Sequence, residues 1–549
     1  MVKLDFLSFG SKKKSLPLDD ATSAAAWYAQ MQQENGAGTH QKLLELISHY
    51  NQHGESLSGD TLAALLKLDG LNVQQHRQLG AQYLLNARLP KLMEEQLRTR
   101  ITGYDRQIVA AYRRFLALDE GETRALADML LVAIARTMHY LSELALWQYY
   151  RHAQPDQVFW ESVNQLFVTA EKLGLDARPV VLFDGEPATT VHDIYLSLLL
   201  VAVLASGNLS ARQISLAHQL ALMLSNRATL QRQLESYPSF AVDLDQGLPP
   251  GRVRQQLPGG NLRLWNTAEI TEQLDRWGVV CESGVVPLEL KPLMMTTSET
   301  SLLRFLLREW AERPFIYQRA ERVRTEYQQV EVANRLPVIH RLIREQDEAA
   351  AAGWSNADGD VEEGFRVYGF VSSRRREKSI YTEVQAPSPF PFWELDNKSA
   401  TGIGVNLPAH GNEWVVLGSL MTFREKGESG WSVGLVRRLQ RPQPDRVYLG
   451  VHVLSNRPVA ASLHRTDGVP PDAVLPAELI WNRGEIALFV PLLREDKKLN
   501  TLLLSISSYT AGRELEMRAR GKRFQIRLGR VLEKGADWCQ AEIELLKAE

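Results

Sequence analysis

AAAAGWSNADGDVEEG, residues 349–364, is the stretch on which the reading of this chain turns. Before it, apolar residues recur at helical spacing; after it, they alternate with a period of two. The stretch itself is small and acidic, as linkers are. The 549 residues exceed what one hydrophobic core serves, so several domains are expected, with the main boundary here.

Toward the N-terminus, Leu336–Glu348 reads as the last helix and Thr325–Asn334 (TEYQQVEVAN) as a weakly alternating strand. SFAVDLDQGLPPGRVRQQLPGGNLRLW, 239–265, holds two proline-glycine turns and no helical period, so it reads as a loop or small hairpin. Helices follow it at Ala268–Trp277 and Ser298–Glu312. The first 237 residues read as helix after helix: Ala21–Gln33, Gln41–His53, Asp60–Leu68, Val73–Thr99, Thr123–His152, Val158–Leu173, His192–Ser206 and Ala211–Glu235. DMLLVAIARTMHYLSELALWQYYRH, 128–152, is apolar over more than half its circumference, which places it inside a bundle.

Toward the C-terminus, strands are expected at Arg366–Ser372, Trp393–Leu395, Ile403–Leu407, Val415–Arg424, Trp431–Leu439 and Tyr448–Leu454. A second β-rich stretch runs through Ala477–Trp481, Glu485–Val490, Leu502–Ser507, Glu514–Ala519, Arg523–Leu532 and Cys539–Leu545. The expected fold is therefore multidomain α + β. A helical bundle occupies 1–237, a helical region with an inserted loop or hairpin 238–348, and a linker 349–364. An antiparallel β-barrel follows at 365–457, then a β-rich extension or second barrel at 458–549.

Composition narrows the function. The net charge is -2, with residues 361–549 at about +4 and the rest at about -6, so the β part suits an anionic ligand better. Two cysteines make no disulfide framework or thiolate metal site, and a reducing compartment is expected. The opening MVKLDFLSFGSKKKSLPL has the wrong order for a secretory signal, so the cytoplasm is the expected location. The apolar part of 194–211 is about a dozen residues, short of the roughly 20 that span a bilayer, so no membrane insertion is expected. No nucleophile elbow, phosphate loop or metal cluster occurs, and neither an enzyme nor a cofactor is expected. The basic strand pattern at 513–530 lacks the aromatic residues that would stack bases and carries Glu514 and Glu516, which disfavours nucleic acid.

WELDNKSATGIGV, 393–405, places Asn397, Ser399 and Gly402 in the order Asn, any, Ser, any, any, Gly. An Asn amide and a Ser hydroxyl can meet a guanine edge, and a glycine lets a ligand approach the backbone. Downstream come GSLMTFREKGESGWSVGLVRRLQ and RVYLGVHVL. Together these resemble PilZ domains, bacterial β-barrels that bind cyclic di-GMP; the resemblance covers about 365–457. It implies a cyclic di-GMP ligand, and an arginine loop upstream that clamps its phosphates. Arg374, Arg375 and Arg376 stand there, although four residues on from Arg374 the chain has Lys378 instead of a second spaced arginine. The expected ligand-binding set is Arg374, Arg375, Arg376, Asn397, Ser399 and Gly402, with the helical region contacting a protein partner. Two rivals stay open: a scaffold whose barrel binds no nucleotide, and a nucleic-acid binder using the basic C-terminal strands.

Overall fold

The computed structural model describes residues 16–53, 57–86, 89–234, 237–253, 260–294, 299–313, 321–354, 389–465, 484–494 and 497–548. It divides into two units, residues up to 317 and residues from 318 onward.

The first unit is helical. Its helices are α1 (Ala21–Asn35), α2 (Thr39–His53), α3 (Gly59–Leu85), α4 (Lys91–Arg114), α5 (Glu120–Ala125), α6 (Ala127–Tyr150), α7 (Gln157–Lys172), α8 (Val191–Ala202) and α9 (Ala211–Leu224). Short polar residues start many of them. The side chains of Asp20, Ser58, Asp119, Asp156, Thr190 and Ser210 each accept a backbone N–H of the first turn. The insert is a three-stranded sheet of β1 (Phe240–Asp243), β2 (Gly251–Arg252) and β3 (Leu262–Trp265), followed by α10 (Ala268–Glu282) and α11 (Thr300–Trp310).

Several helix boundaries differ from the sequence reading: the helix expected over Ala211–Glu235 ends at Leu224, that over Thr123–His152 is broken at Leu126, and α4 runs past Thr99 to Arg114. α3 runs unbroken through Gly70, and the expected helix across 73–99 is cut at 86–90. Pro90 lacks an N–H and so can only begin a helix, which is why α4 starts directly after it. The aliphatic run in α8 is a 12-residue core helix, about 18 Å long and short of a bilayer's roughly 30 Å. α6 has the length and apolarity to cross a membrane, but most of it is buried within the helical unit.

Helix α6 instead organises a buried polar centre. Asp69 of α3, with no exposure, takes four donors. Tyr104 and Tyr140 donate to Oδ1 at 2.8 and 2.5 Å; Tyr112 and the Arg136 guanidinium donate to Oδ2 at 2.8 and 3.0 Å. Arg136 also bonds the carbonyls of Leu66 and Leu182. Beside this centre, Arg100, His40, His76 and Asp105 form a hydrogen-bonded chain with steps of 3.3, 3.0 and 3.0 Å. Four helices, α2, α3, α4 and α6, are thus tied together through polar groups that are buried apart from Arg100.

The second unit opens with β4 (Val323–Asn334) and α12 (Leu336–Trp354). The first closed barrel runs in the order β4, β5 (Phe392–Ser399), β6 (Gly402–Pro408), β9 (Arg446–Ser455), β8 (Ser432–Gln443), β7 (Leu420–Glu425). Its interior holds Val330, Val332, Trp393, Leu395, Val405, Phe423, Leu449 and their neighbours.

The domain expectations need correction here. The strand at Thr325–Asn334 does not belong to the helical region: it is the barrel's first strand, paired with β5 on one edge and β7 on the other. A 12-residue strand must satisfy both rows of backbone groups, and only the barrel offers two partners. The unit boundary therefore lies at 317/318, not in 349–364. Residues 349–354 continue α12, as a run of alanines favours. The rest of that linker and the strand expected at Arg366–Ser372 lie outside the described residues, as does the strand expected at Ala477–Trp481.

Residues 459–548 form a second closed barrel, so the alternative left open for 458–549 resolves as a barrel of its own. Its order is β10 (Val459–Arg465), β11 (Glu485–Phe489), β14 (Thr501–Ser505), β17 (Trp538–Ala548), β16 (Lys522–Lys534), β15 (Glu514–Ala519). A two-stranded arm, β12 (Leu492–Arg494) with β13 (Lys497–Leu499), stands between β11 and β14. α12 joins the two barrels. Its Leu336, Ile339, Leu342 and Ile343 share one buried cluster with Leu420, Trp431, Val433 and Leu435 of the first barrel and with Ala460, Leu488, Leu503 and Trp538 of the second. Four such side chains leaving water contribute on the order of 6–10 kcal/mol, an upper figure because the unfolded chain already buries some of this surface.

Candidate functional site

The Asn/Ser/Gly motif sits at the tight turn between β5 and β6. Ser399 and Gly402 face each other as the last pair, and the Ser399 hydroxyl donates to the Gly402 carbonyl at 3.2 Å. Gly402 is required by crowding: a Cβ there would lie 2.8 Å from the Val451 carbonyl oxygen, a backbone atom that cannot yield. His452 closes the far side, its Nδ1 3.1 Å from the Thr401 carbonyl.

A register shift between Leu395 and Asn397 decides which way Asn397 points. Leu395 pairs with the interior residue Val405, whereas Asn397 pairs with Gly404. Directly opposite residues of an antiparallel pair share a face, so Asn397 turns to the barrel's outer face, where its neighbours leave it buried. The pairing then continues across the barrel: Arg324 opposite Asn397, Asn397 opposite Gly404, Gly404 opposite Gly450, Gly450 opposite Arg438. Five residues on five strands make one lateral row, about 19 Å long at the usual spacing of about 4.8 Å.

The row has a glycine middle and cationic ends. Gly404 and Gly450 carry no side chain, and neighbouring side chains take the space: the Asn397 amide and the Tyr448 hydroxyl lie over Gly404, and the Arg438 side chain over Gly450. Tyr448 borders the row, its hydroxyl 3.2 Å from the Asn397 amide nitrogen, which also donates to Asp396 at 2.6 Å. Arg324 and its neighbour Arg322 are exposed, and Arg438 is half-buried. Among the described residues no carboxylate pairs with any of these three. Three other cations of the barrel are engaged: Lys398 with Glu425 at 3.0 Å, Arg424 with Glu331 and over the Trp431 ring, Arg437 bidentate with Glu533. Guanidinium groups at the ends of a row that carries an Asn amide suit a ligand bearing phosphates.

Of the expected site residues, the structure brings Asn397, Ser399 and Gly402 together at one turn. Arg374, Arg375 and Arg376 lie outside the described residues. Arg322 and Arg324 escaped the sequence reading because the strand there was begun at Thr325. The Arg-Val-Arg triplet immediately before the alternating run was the available signal.

Residues 22–235, about two fifths of the chain, match the family model of the cyclic-di-GMP receptor FimW, N-terminal domain. These residues are the helices α1–α9, so the likeness falls outside the part that resembles PilZ domains. The chain thus resembles cyclic-di-GMP effectors in two separate regions. No curated protein and no solved structure matches the chain.

Proposed function

We propose that this protein is a cyclic di-GMP-responsive effector: the first barrel takes the dinucleotide on its outer row, and the helical unit contacts a protein partner. The observation that carries the reading is the row itself, with an Asn and two glycines between Arg324 and Arg438. In this reading Arg324 and Arg322 hold phosphate oxygens, and Asn397 and Ser399 meet the edge of a guanine. Arg374, Arg375 and Arg376 are proposed to contribute to binding the ligand's phosphates. Binding at β4 and β5 would alter the contacts the effector offers its partner.

Calorimetric titration of the full chain with cyclic di-GMP tests this. A saturable signal is expected, abolished by the pair Arg322→Ala and Arg324→Ala and weakened by Ser399→Ala. No heat at millimolar ligand, or curves unchanged in those variants, would remove the assignment.

One observation favours the rival scaffold reading. The Asn397 amide and the Ser399 hydroxyl already have partners inside the barrel, so both satisfy a structural role without any ligand. An inert titration with an intact fold would leave that reading in place.

A further inference from the structure

The two barrels are one connectivity used twice. Numbering the strands of each barrel from one to six in chain order, both close as 1-2-3-6-5-4. The first strands are β4 and β10, and the hairpin that carries the Asn/Ser/Gly motif corresponds to β11 and β14, where the β12–β13 arm is inserted.

The shared topology allows a residue-by-residue comparison of the outer row. In the first barrel it reads Arg324, Asn397, Gly404, Gly450, Arg438. Counted from the second residue of the first strand, the second barrel reads Ala460, Leu488, Leu503, Gln540, Glu533. Ala460, Leu488 and Leu503 face outward: the interior belongs to their neighbours Ala461, Ala487, Leu502 and Leu504. Yet all three are buried, because they lie in the cluster that contains Ile339, Leu342 and Ile343 of α12. Polar ties fix the helix over this row. Asp347 Oδ2 accepts the Ala460 N–H at 3.1 Å and Oδ1 takes Arg520 at 2.7 Å, while His340 Nε2 lies 3.0 Å from the Ala461 carbonyl.

We infer that the second barrel is a copy of the first in which the ligand face has become a clasp for helix α12, leaving the chain one nucleotide-binding barrel face. The reason is chemical. An apolar row of alanine and leucines offers no phosphate donor, and a row of Asn, glycines and arginines offers an amphipathic helix no apolar side chain to pack against. Each face suits its own occupant and excludes the other. Only the single-face consequence rests on the proposed nucleotide site; the clasp stands on the fold.

Hydrogen exchange on the full chain tests the clasp. Leu488→Ala and Leu503→Ala should speed exchange of the α12 amides from Ile339 to Glu348 at least tenfold, with β5, β6 and β9 unchanged. Arg520→Ala, a surface change that leaves the core intact, should speed the half of α12 around Asp347 about threefold. Unchanged α12 exchange in all three, or exchange rising equally in every strand of the second barrel, would overturn the clasp. Cyclic di-GMP titration of the Arg324→Ala/Asn397→Ala chain tests the single face: a saturable signal left there and lost with Leu488→Arg would overturn it. A wild-type chain that binds no nucleotide would instead sink the proposed function, with the exchange experiment still deciding the clasp.

Discussion

Arg324 stands directly across the β4–β5 pair from Asn397. The two are brought together by strand pairing alone, and the consequence is a guanidinium at the edge of the turn that carries Ser399 and Gly402.

If that guanidinium holds a phosphate, Arg324→Ala should weaken cyclic di-GMP binding by ten- to a hundredfold, since one charge-assisted contact contributes about 1.5–3 kcal/mol. Arg324→Lys keeps the charge and loses the fork, so it should recover only part of the affinity. Titration calorimetry at two salt concentrations reads both.

The glycines of the row make a steric prediction. A Cβ on Gly404 would lie 2.5 Å from the Tyr448 hydroxyl and 2.6 Å from the Asn397 amide nitrogen. Gly404→Ala should therefore cost stability by about 1–3 kcal/mol and lower nucleotide affinity. Adding Tyr448→Phe removes one of the two struck atoms and should restore part of the denaturation midpoint but not the affinity. A fully restored affinity would argue that this part of the row is not contacted.

In the helical unit, Asp69 accepts four donors and Arg136 has no other carboxylate at ion-pair distance among the described residues. Asp69→Ala should destabilise the chain by about 3–5 kcal/mol, the usual result of leaving a buried charge unpaired. Asp69→Asn should also be costly, because an amide presents donors to groups that already donate. Urea denaturation followed by far-ultraviolet circular dichroism measures this.

Acid should weaken the same unit. Burial pushes His40 and His139 down to about 3 and His218 down to about 4. Their unfolded pKa near 6.5 means the unfolded chain takes up protons first, so stability falls as pH drops below 6.5. Burial also pushes Glu143 up to about 7 and raises Asp105, so these two take up protons in the folded state and offset part of the loss. Burial pulls His76 down, but Asp105 outweighs it and the net is upward, so its contribution is complete below pH 6.5 and adds no slope there. Three histidines against two carboxyls leave a net loss on the order of 1 kcal/mol per pH unit between about pH 6 and 5. A urea midpoint that rises on acidification over that range would contradict it.

Much of this was legible in residue order. Helix against strand was decided by periods of 3.6 and 2.0, and the Asn397, Ser399 and Gly402 turn by their spacing, because all three are local properties. The second β-rich stretch was likewise announced by turns and alternation, whereas 239–265, expected as a loop or small hairpin, is a three-stranded sheet. The placement of 323–334 was not legible, since a weakly alternating strand looks the same wherever its partners lie. Residues 69–72, outside the helices expected from the sequence, are helical in α3, where Asp69 and Asn72 are buried despite the roughly 1 kcal/mol that Gly70 costs a helix.

Local chemistry settled that the chain pairs a helical part with β-barrels and that a short Asn/Ser/Gly turn lies in the first barrel. Which arginine meets that turn, that a glycine row crosses the outer face, and that a second barrel buries the matching row under α12 were settled only by the folded chain. Register and barrel closure join residues far apart in sequence, and a shift of one position would have turned Asn397 into the core.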